Sequence, residues 1–431
     1  MSALHRLREK FWFIPALLCL SAVLLAQALI LVGKVDTLPR VFELYRVGEN
    51  GSRAILAAIA GSSLAVAGTT FSITIAVLAL TSSSYGPRLI RNFMVDRANQ
   101  VVLGVFVATF LYSLLVLASV RPEGLDGSPF VPHLAVNVAV LFAVLNVGVL
   151  IYFIHHISDS IQISTIARRV RSDLHATIDQ LYPQELRERE AHADGDAEYE
   201  GHFDDGAEIE AGRAGYITAI RHEDLVVHAQ EIDAVIALKV HPGRYVLDDT
   251  VLAVVHPPER AAELEPVLRD GVSIGDERTP WQDISFAVQQ LTELAVRALS
   301  PAVNDPFTAI NALDDLSASL ALLARRRMPS PRWLDETGRM RVHAPYIDVT
   351  ELTSGVVDHM RWYATDAPSV LHSTLDFIRR VGRQSEDPEL REHLRSQVHL
   401  LLAAVEGSGQ QDHDVAALTE AAAHVLEELR S

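Results

Sequence analysis

The sequence predicts a multi-pass α-helical membrane protein with four transmembrane helices and a cytoplasmic α+β domain, the latter a small β half-barrel-like unit followed by a mostly helical bundle. Three observations carry that prediction. The 431 residues are 49% hydrophobic with a mean hydropathy of +0.17 although 21% are charged, so two unlike regions are being averaged. Charge divides the same way: through Ser172 there are 14 Lys+Arg against 8 Asp+Glu, or +6, and the remaining 23 against 47 give −24, which together make the net −18. Finally, four apolar runs at 11–33, 54–80, 101–120 and 134–154 contain no Asp, Glu, Lys or Arg. At 1.5 Å per residue each reaches across about 30 Å of hydrocarbon, whereas core helices of soluble proteins rarely stay uncharged that long.

The first run follows Arg6, Arg8 and Lys10 as a signal peptide would, but it is longer than a usual signal core and has no A-x-A site at its end, so it is read as a retained helix. Its Cys19 is the chain's one cysteine, which excludes an internal disulfide framework and zinc sites built on thiolates. Orientation follows the basic clusters. The amino end, the second loop (Arg88, Arg91, Arg97) and the segment after the fourth run (Arg168, Arg169, Arg171) lie on one side. The first loop opposes them with Lys34, Arg40, Arg46 and Arg53 beside Asp36, Glu43 and Glu49, and the third loop has only Arg121. With an even number of spans, both termini are expected in the cytoplasm. Domain boundaries follow: transmembrane 1–160, a helical extension 161–187, an acidic linker 188–210, a β unit 211–256 and a helical cytoplasmic domain 257–431.

Uncharged spans argue against an ion-coupled transporter, which needs an intramembrane titratable group, and leave a passive pore open. In the second run Ser63, Thr70, Thr74 and Thr81 follow 7-4-7 spacing along one face. Such a face serves close helix packing, the commoner use, or lines a conduit around an oligomer axis. Asn137 and Asn146 in the fourth run read as interhelical hydrogen-bonding residues. His155, His156 and Asp159 have helical metal-ligand spacing, but no third ligand is evident and no metal centre is expected. The linker acids Asp204, Asp205 and Glu208 lack EF-hand spacing and read as solvated charge.

Beyond the linker the period becomes that of strands, at 216–220, 225–227, 235–240, 245–246 and 251–255, separated by His222-Glu223-Asp224, His241-Pro242-Gly243 and Asp248-Asp249. This order resembles the half-barrels of biotinyl and lipoyl domains. Those carry a cofactor on a hairpin lysine; Lys239 sits inside a strand run, so the resemblance implies the shape without the arm, and no cofactor. Next, Thr279-Pro280-Trp281-Gln282 predicts a capped helix start with the stripe Ile284, Val288, Leu291, Ala295 and Ala298. Ser300-Pro301 ends it. Asp305-Pro306 starts another helix, with the stripe Leu313, Leu316, Leu320 and Leu323. A short strand at 340–343 and helices at 348–365, 368–383, 388–405 and 414–430 complete the chain, with His359, Trp362, Tyr363 and His372 expected as packing residues.

The segment Arg297-Ala298-Leu299-Ser300-Pro301-Ala302-Val303-Asn304-Asp305-Pro306-Phe307-Thr308-Ala309, with Phe71-Ser72-Ile73-Thr74, Tyr85-Gly86-Pro87-Arg88, Arg91-Asn92-Phe93 and Gly104-Val105-Phe106, resembles the bacterial family catalogued as domain of unknown function 2254. The resemblance runs from the first helix to about Asp366. It implies a multi-pass protein of the bacterial plasma (inner) membrane and no assigned reaction. Read from the residues, Asn304, Thr308, Asn311 and Asp315 form a polar stripe, with Asp305 in the turn and Arg297 across it. That set is either a small-ligand pocket or an exposed helix face with its cap. No nucleotide P-loop, G-x-S-x-G, HExxH or G-x-G-x-x-G occurs, so no catalytic residue is named and no enzyme is expected. The expected partners are the lipid bilayer, further copies of the chain, and an unidentified cytoplasmic ligand or protein. Nucleic acid is not expected, because a domain at −24 repels phosphate. The function expected first is an oligomeric passive channel with a cytoplasmic sensing domain; the alternative is a non-conducting sensor or scaffold.

Overall fold

The computed structural model describes residues 12–33, 48–85, 97–121, 130–160, 162–182, 205–326 and 328–430. Most of the basic residues used for orientation (Arg6, Arg8, Lys10, Lys34, Arg40, Arg46, Arg88 and Arg91) and most of the acidic stretch lie outside the described residues. The chain divides into two compact units, Met1–Ile166 and Ala167–Ser431.

In the N-terminal unit each apolar run is a helix: α1 (Phe13–Gly33), α2 (Glu49–Tyr85), α3 (Arg97–Ser119) and α4 (His133–Ser160). Helix α2 outruns its uncharged stretch because helical pairing continues there; Glu49 and Arg53, one turn apart, are 3.8 Å from each other. Helix α3 is central and packs on α1, α2 and α4. Gly104 permits this: a Cβ there would lie 2.7 Å from the Leu18 side chain and 3.0 Å from the Pro15 backbone. Small residues allow such close approach in helices whose surroundings supply no hydrophobic drive between them. Further along α3, the buried Tyr112 sets its ring edge-on to Phe142 at 5.1 Å and donates its hydroxyl to the Ala135 carbonyl at 2.9 Å.

The C-terminal unit contains nearly all of α5 (Ile163–Leu181), then β1 (Ala207–Glu210), β2 (Gly215–Ile220), α6 (His222–Glu231), β3 (Val235–Leu238), β4 (Tyr245–Val246) and β5 (Val251–His256). A 3-10 turn leads to α7 (Ala261–Gly271) and β6 (Val272–Gly275). The helices α8 (Ile284–Ala298) and α9 (Pro306–Ala324) follow, then β7 (Arg332–Leu334) and β8 (Met340–His343). Last come α10 (Val349–Tyr363), α11 (Pro368–Gln384), α12 (Pro388–Glu406) and α13 (Asp412–Glu428). Five strands pair in the order β1-β5-β3-β8-β7 and three in the order β4-β2-β6. Ladders are antiparallel except β3 with β8, which run parallel with Ile236 opposite Val342. Ile217, Leu225, Ile236, Val255, Leu268 and Val342 share one buried core.

Four expectations need correction. Residues 225–227 are helical, within α6, because Leu225, Val226 and Ala229 place a helical face on the core while Glu223 and Asp224 in the first turn suit the helix dipole. The 211–256 segment does not complete its own sheets: β6, β7 and β8 come from beyond it, and β1 forms inside the presumed linker, with Ile209 buried. The cap of α8 is Asp283, which accepts from the Phe286 N–H at 3.0 Å, rather than Thr279. Gly243, at φ +91, is where only a residue without a Cβ fits against that carboxylate. His359, Trp362 and Tyr363, expected in packing, are exposed. By contrast Asp305 does cap α9, and Leu313, Leu316, Leu320 and Leu323 are buried as the stripe requires.

An ion cluster joins the late strands to the turn before β3, with Arg341 and Asp335 buried and Asp233 exposed. Arg341 sets Nε 2.7 Å from Asp335 and Nη1 2.7 Å from Asp233. Asp335 also accepts from the Thr337 hydroxyl at 2.6 Å and from the N–H groups of Thr337 and Arg339 at 2.9 and 3.0 Å. Burial works to raise the Asp335 carboxyl, but these hydrogen bonds outweigh it and hold the pKa at about 2.

Two outcomes follow. Replacing Gly104 with Leu pushes α1 off α3 and lowers the detergent-phase thermal midpoint, while Gly104→Ala, one methyl larger, has the smaller effect. Asp335 has a folded pKa below its ordinary 3.8, so its stabilisation is present above that value and is lost as pH falls toward about 2. Asp335→Ala leaves Arg341 buried beside one carboxylate and costs about 3 kcal/mol at neutral pH, with a flatter acid limb in denaturation followed by circular dichroism.

Candidate functional site

The C-terminal unit carries a half-open cavity of about 360 Å³. Its walls come from the end of α5 (Leu181), the end of β2 (Ile220), the first turn of α6 (Arg221 to Asp224), Gln282, Trp333 on β7, and Tyr346 just after β8. Long-range hydrogen bonds hold these segments in place. Gln282 accepts from the Ile220 N–H at 2.8 Å and donates to its carbonyl at 3.3 Å, so the supposed capping residue instead extends the edge of β2. Thr177 donates to the Pro280 carbonyl and Tyr182 to the Ile347 carbonyl, both at 2.9 Å, fixing the end of α5. On that helix burial pushes His175 below the usual imidazole range, with Arg171 adding to the effect, and burial pushes Asp173 up.

Inside the cavity, the His222 ring stacks on Trp333 with centroids 4.6 Å apart and planes within 5°. Tyr346 lies 6.2 Å from the buried Tyr182. Arg221 is held by Asp224, 3.1 Å from its Nε, and by the carboxylate and carbonyl of Asp270. The result is a half-buried aromatic surface with carboxylates at the rim, a form suited to holding a small molecule by ring contact and charge. The sequence carries little signal for it, since its residues span positions 180 to 346.

The residues singled out from the sequence fall elsewhere. Arg297 pairs with Glu293 one turn back, at 2.9 Å. Asn304 is exposed in a left-handed conformation, φ +49. Asp305 accepts from the Thr308 N–H at 3.1 Å and hydroxyl at 2.6 Å, and these bonds lower its pKa. Asn311 is exposed, and Asp315 pairs with Arg171 of α5 at 2.7 Å. Thus Asp305 and Thr308 come together as a cap, Asp315 joins α9 to α5, and Asn304 and Asn311 lie on the surface.

In the N-terminal unit Ser63 and Thr70 are buried. Asn146 donates to Ser63 Oγ at 3.1 Å and accepts from Thr109 at 3.3 Å, linking α2, α3 and α4. Thr70 donates to the Ala67 carbonyl at 2.9 Å and Thr74 to the Thr70 carbonyl at 2.8 Å. The side chain of Thr81 lies outside the described residues. Among the described residues no group of three His, Cys, Asp or Glu converges as a metal site; His156 stacks on Tyr152 at 5.6 Å.

Residues 8–380 match the family described as predicted membrane protein, DUF2254. The chain belongs to that family. This DUF2254 chain is 31% identical over 382 residues to uncharacterized proteins of Mycobacterium tuberculosis, strains CDC 1551 / Oshkosh and H37Rv, and of Mycobacterium bovis strain AF2122/97. Each alignment covers 87% of this chain and 72% of the relative. No solved structure matches it. The family resemblance read from the Asn304-Asp305-Pro306 turn and the second helix therefore holds. Its membrane character agrees with five helices of spanning length and hydropathy among the described residues: α1, α2, α3, α4 and α9.

Asn146→Ala removes a three-helix link and lowers stability by about 0.6 to 1.7 kcal/mol, the range for interhelical hydrogen bonds in membranes, checked by unfolding in mixed micelles. Asp305→Ala costs about 1 kcal/mol as a lost helix cap, and Asp305→Asn or Ser restores most of it.

Proposed function

We propose that this DUF2254 protein is a non-enzymatic sensor of the bacterial plasma membrane, anchored by α1 to α4, with both termini cytoplasmic and a small ligand bound in its C-terminal unit. The cavity beside Trp333 carries this reading. The four-span assignment rests on energetics as well as length. Helix α9 has spanning length, but its window has the lowest mean hydropathy of the five, 1.2, and Asp314 and Asp315 stand in its middle. Each carboxylate would cost about 2.5–3.5 kcal/mol at a bilayer centre. Here they pair with Arg380 at 2.5 Å and Arg171 at 2.7 Å, as residues of a water-facing helical bundle do. The basic clusters at the amino end, the second loop and the start of α5 support the orientation. The acid excess of the C-terminal unit disfavours nucleic acid as its partner.

A second reading, an oligomeric passive channel, is favoured by one observation. On α2, Gly61, Gly68, Thr69 and Ser72 are exposed, and a Cβ at either glycine would meet nothing within 4 Å. Such a face suits a second copy of the chain. The hydroxyls of Ser63 and Thr70, however, are taken up inside the unit, which is why the sensor is placed first.

Native mass spectrometry of the full-length chain, after exposure to the small-molecule fraction of a bacterial lysate, is expected to show a stoichiometric adduct, and its consistent absence would sink the sensor. In proteoliposomes the sensor gives no ion leak above empty vesicles. A leak that Thr70→Leu changes without unfolding would transfer the argument to the channel.

A further inference from the structure

The loop between α8 and α9 has an exposed apolar tip. Pro301, Ala302 and Val303 are exposed, and Phe307, in the first turn of α9, leaves 76% of its surface open. The turn itself does not need these side chains. Asp305 caps α9 through Thr308, and the Asp305 N–H returns to the Ala298 carbonyl at 2.8 Å. Neighbouring apolar side chains left open to solvent mark a surface that meets a partner. The fold indicates which partner. Arg171 of α5 binds Asp315 of α9, and eleven residues further along both segments Arg326 donates to the Tyr182 carbonyl at 2.7 Å, so α5 and α9 run in the same direction. Counting back eight residues from the first pair reaches Ile163 and Phe307, which puts the loop at the end where α5 begins. Ile163 follows Ser160, the last residue of α4, by three positions, a reach of about 11 Å at most. The apolar tip is therefore at the end of its unit where the chain arrives from α4. In the first two turns of α5, at the same end, Arg168 and Arg169 are exposed. Basic side chains so placed are drawn to anionic lipid headgroups.

We infer that this end of the C-terminal unit rests on the lipid surface, with Val303 and Phe307 inserted among the headgroups and Arg168 and Arg169 against their phosphates. The inference rests on the reading of α4 as a membrane span and gives the loop between α8 and α9 a use beyond its cap. An apolar tip flanked by basic residues is the form of an interfacial anchor. With 47 acidic against 23 basic residues beyond Ser172, most of the unit is repelled by an anionic bilayer, so this end is the one it presents.

The test uses the full-length chain with Cys19→Ala and one new cysteine carrying a nitrobenzoxadiazole fluorophore. Proteoliposomes of phosphatidylethanolamine and phosphatidylglycerol are made with and without lipid bearing a nitroxide near the top of its acyl chain. Phe307→Cys is expected to lose emission about twofold or more to the nitroxide lipid, and Arg325→Cys, exposed at the opposite end of α9, almost none. Val144→Cys, exposed on α4, reports on the span itself. Phe307 is open to solvent, so its replacement is expected to leave the thermal midpoint unchanged. Quenching at position 144 with none at 307 would overturn the lipid contact and leave the membrane reading intact, whereas no quenching at 144 would overturn both. Blue-shifted emission at 307 that the nitroxide lipid leaves unquenched would mean that protein covers the loop, and would overturn the lipid assignment. Arg168→Glu with Arg169→Glu is expected to about halve the quenching at 307, and unchanged quenching would overturn the part given to the arginines.

Discussion

The C-terminal unit depends on the parallel pairing of β3 with β8. Two strands from segments about a hundred residues apart are joined there, and Ile236 opposite Val342 brings the late chain into the core formed by β2, α6, β5 and α7. A parallel pair needs a crossover, and α8 and α9 lie within the connecting chain. Arg341 adds charge to this pairing: it binds Asp335 within the β7–β8 segment and reaches across to the exposed Asp233, just before β3, a bond that a slip of β8 along β3 would break. The cavity is a consequence of this pairing. Trp333 lies in β7 and Tyr346 just after β8, Ile220 ends β2 and His222 starts α6, and the β3/β8 ladder helps bring these early and late segments together.

The N-terminal unit meets a different constraint. Helices flanked by apolar surroundings gain little from burying more apolar surface against each other, so shape and neutral hydrogen bonds decide their packing. Gly104 gives the shape, letting α1 approach α3. Asn146, Thr109 and Ser63 give the hydrogen bonds, across three helices at once. The hydroxyl spacing on α2 thus has a structural use at Ser63, and Thr70 and Thr74 return their protons to their own helix as isolated hydroxyls in apolar surroundings do.

What was legible in the sequence was whatever local rules settle. The four uncharged runs are helices, and the Asp305-Pro306 cap and the leucine stripe of α9 form as read, because length, i to i+3 hydrogen bonding and 3.6-residue periodicity decide them without distant partners. The Thr279 cap failed because two local signals competed within five residues. Asp283 won once Gln282 and Thr279 were drawn to the backbone of β2. Residues 225–227 illustrate a run too short to carry a period, with its acidic flank belonging to a helix start instead of a turn. Strands β6 and β7, of four and three residues, left no pattern to read. The cavity was invisible for a stronger reason: its walls converge through tertiary pairing, and the signals its residues carry, the His222-Glu223-Asp224 turn and the Gln282 cap, speak of local structure alone.

The distribution of polarity between the units constrains where recognition of charge can occur. Buried polar groups described in α2, α3 and α4 are neutral, among them Ser63, Asn99, Thr109, Ser113 and Asn146. Neutral amides and hydroxyls tie helices together but present no ionised partner to a charged species. In the C-terminal unit the deeply buried carboxylates Asp283 and Asp335 are matched by Arg278 and Arg341, which fixes loops and strands but leaves no charge for a ligand. A charge can act on a ligand only where it is neither fully neutralised nor fully hydrated. At the rim of the cavity Asp224 is paired with Arg221, and on the Asn304-to-Asp315 face Asp315 is paired with Arg171, so on both faces the carboxylate serves first to fix the fold.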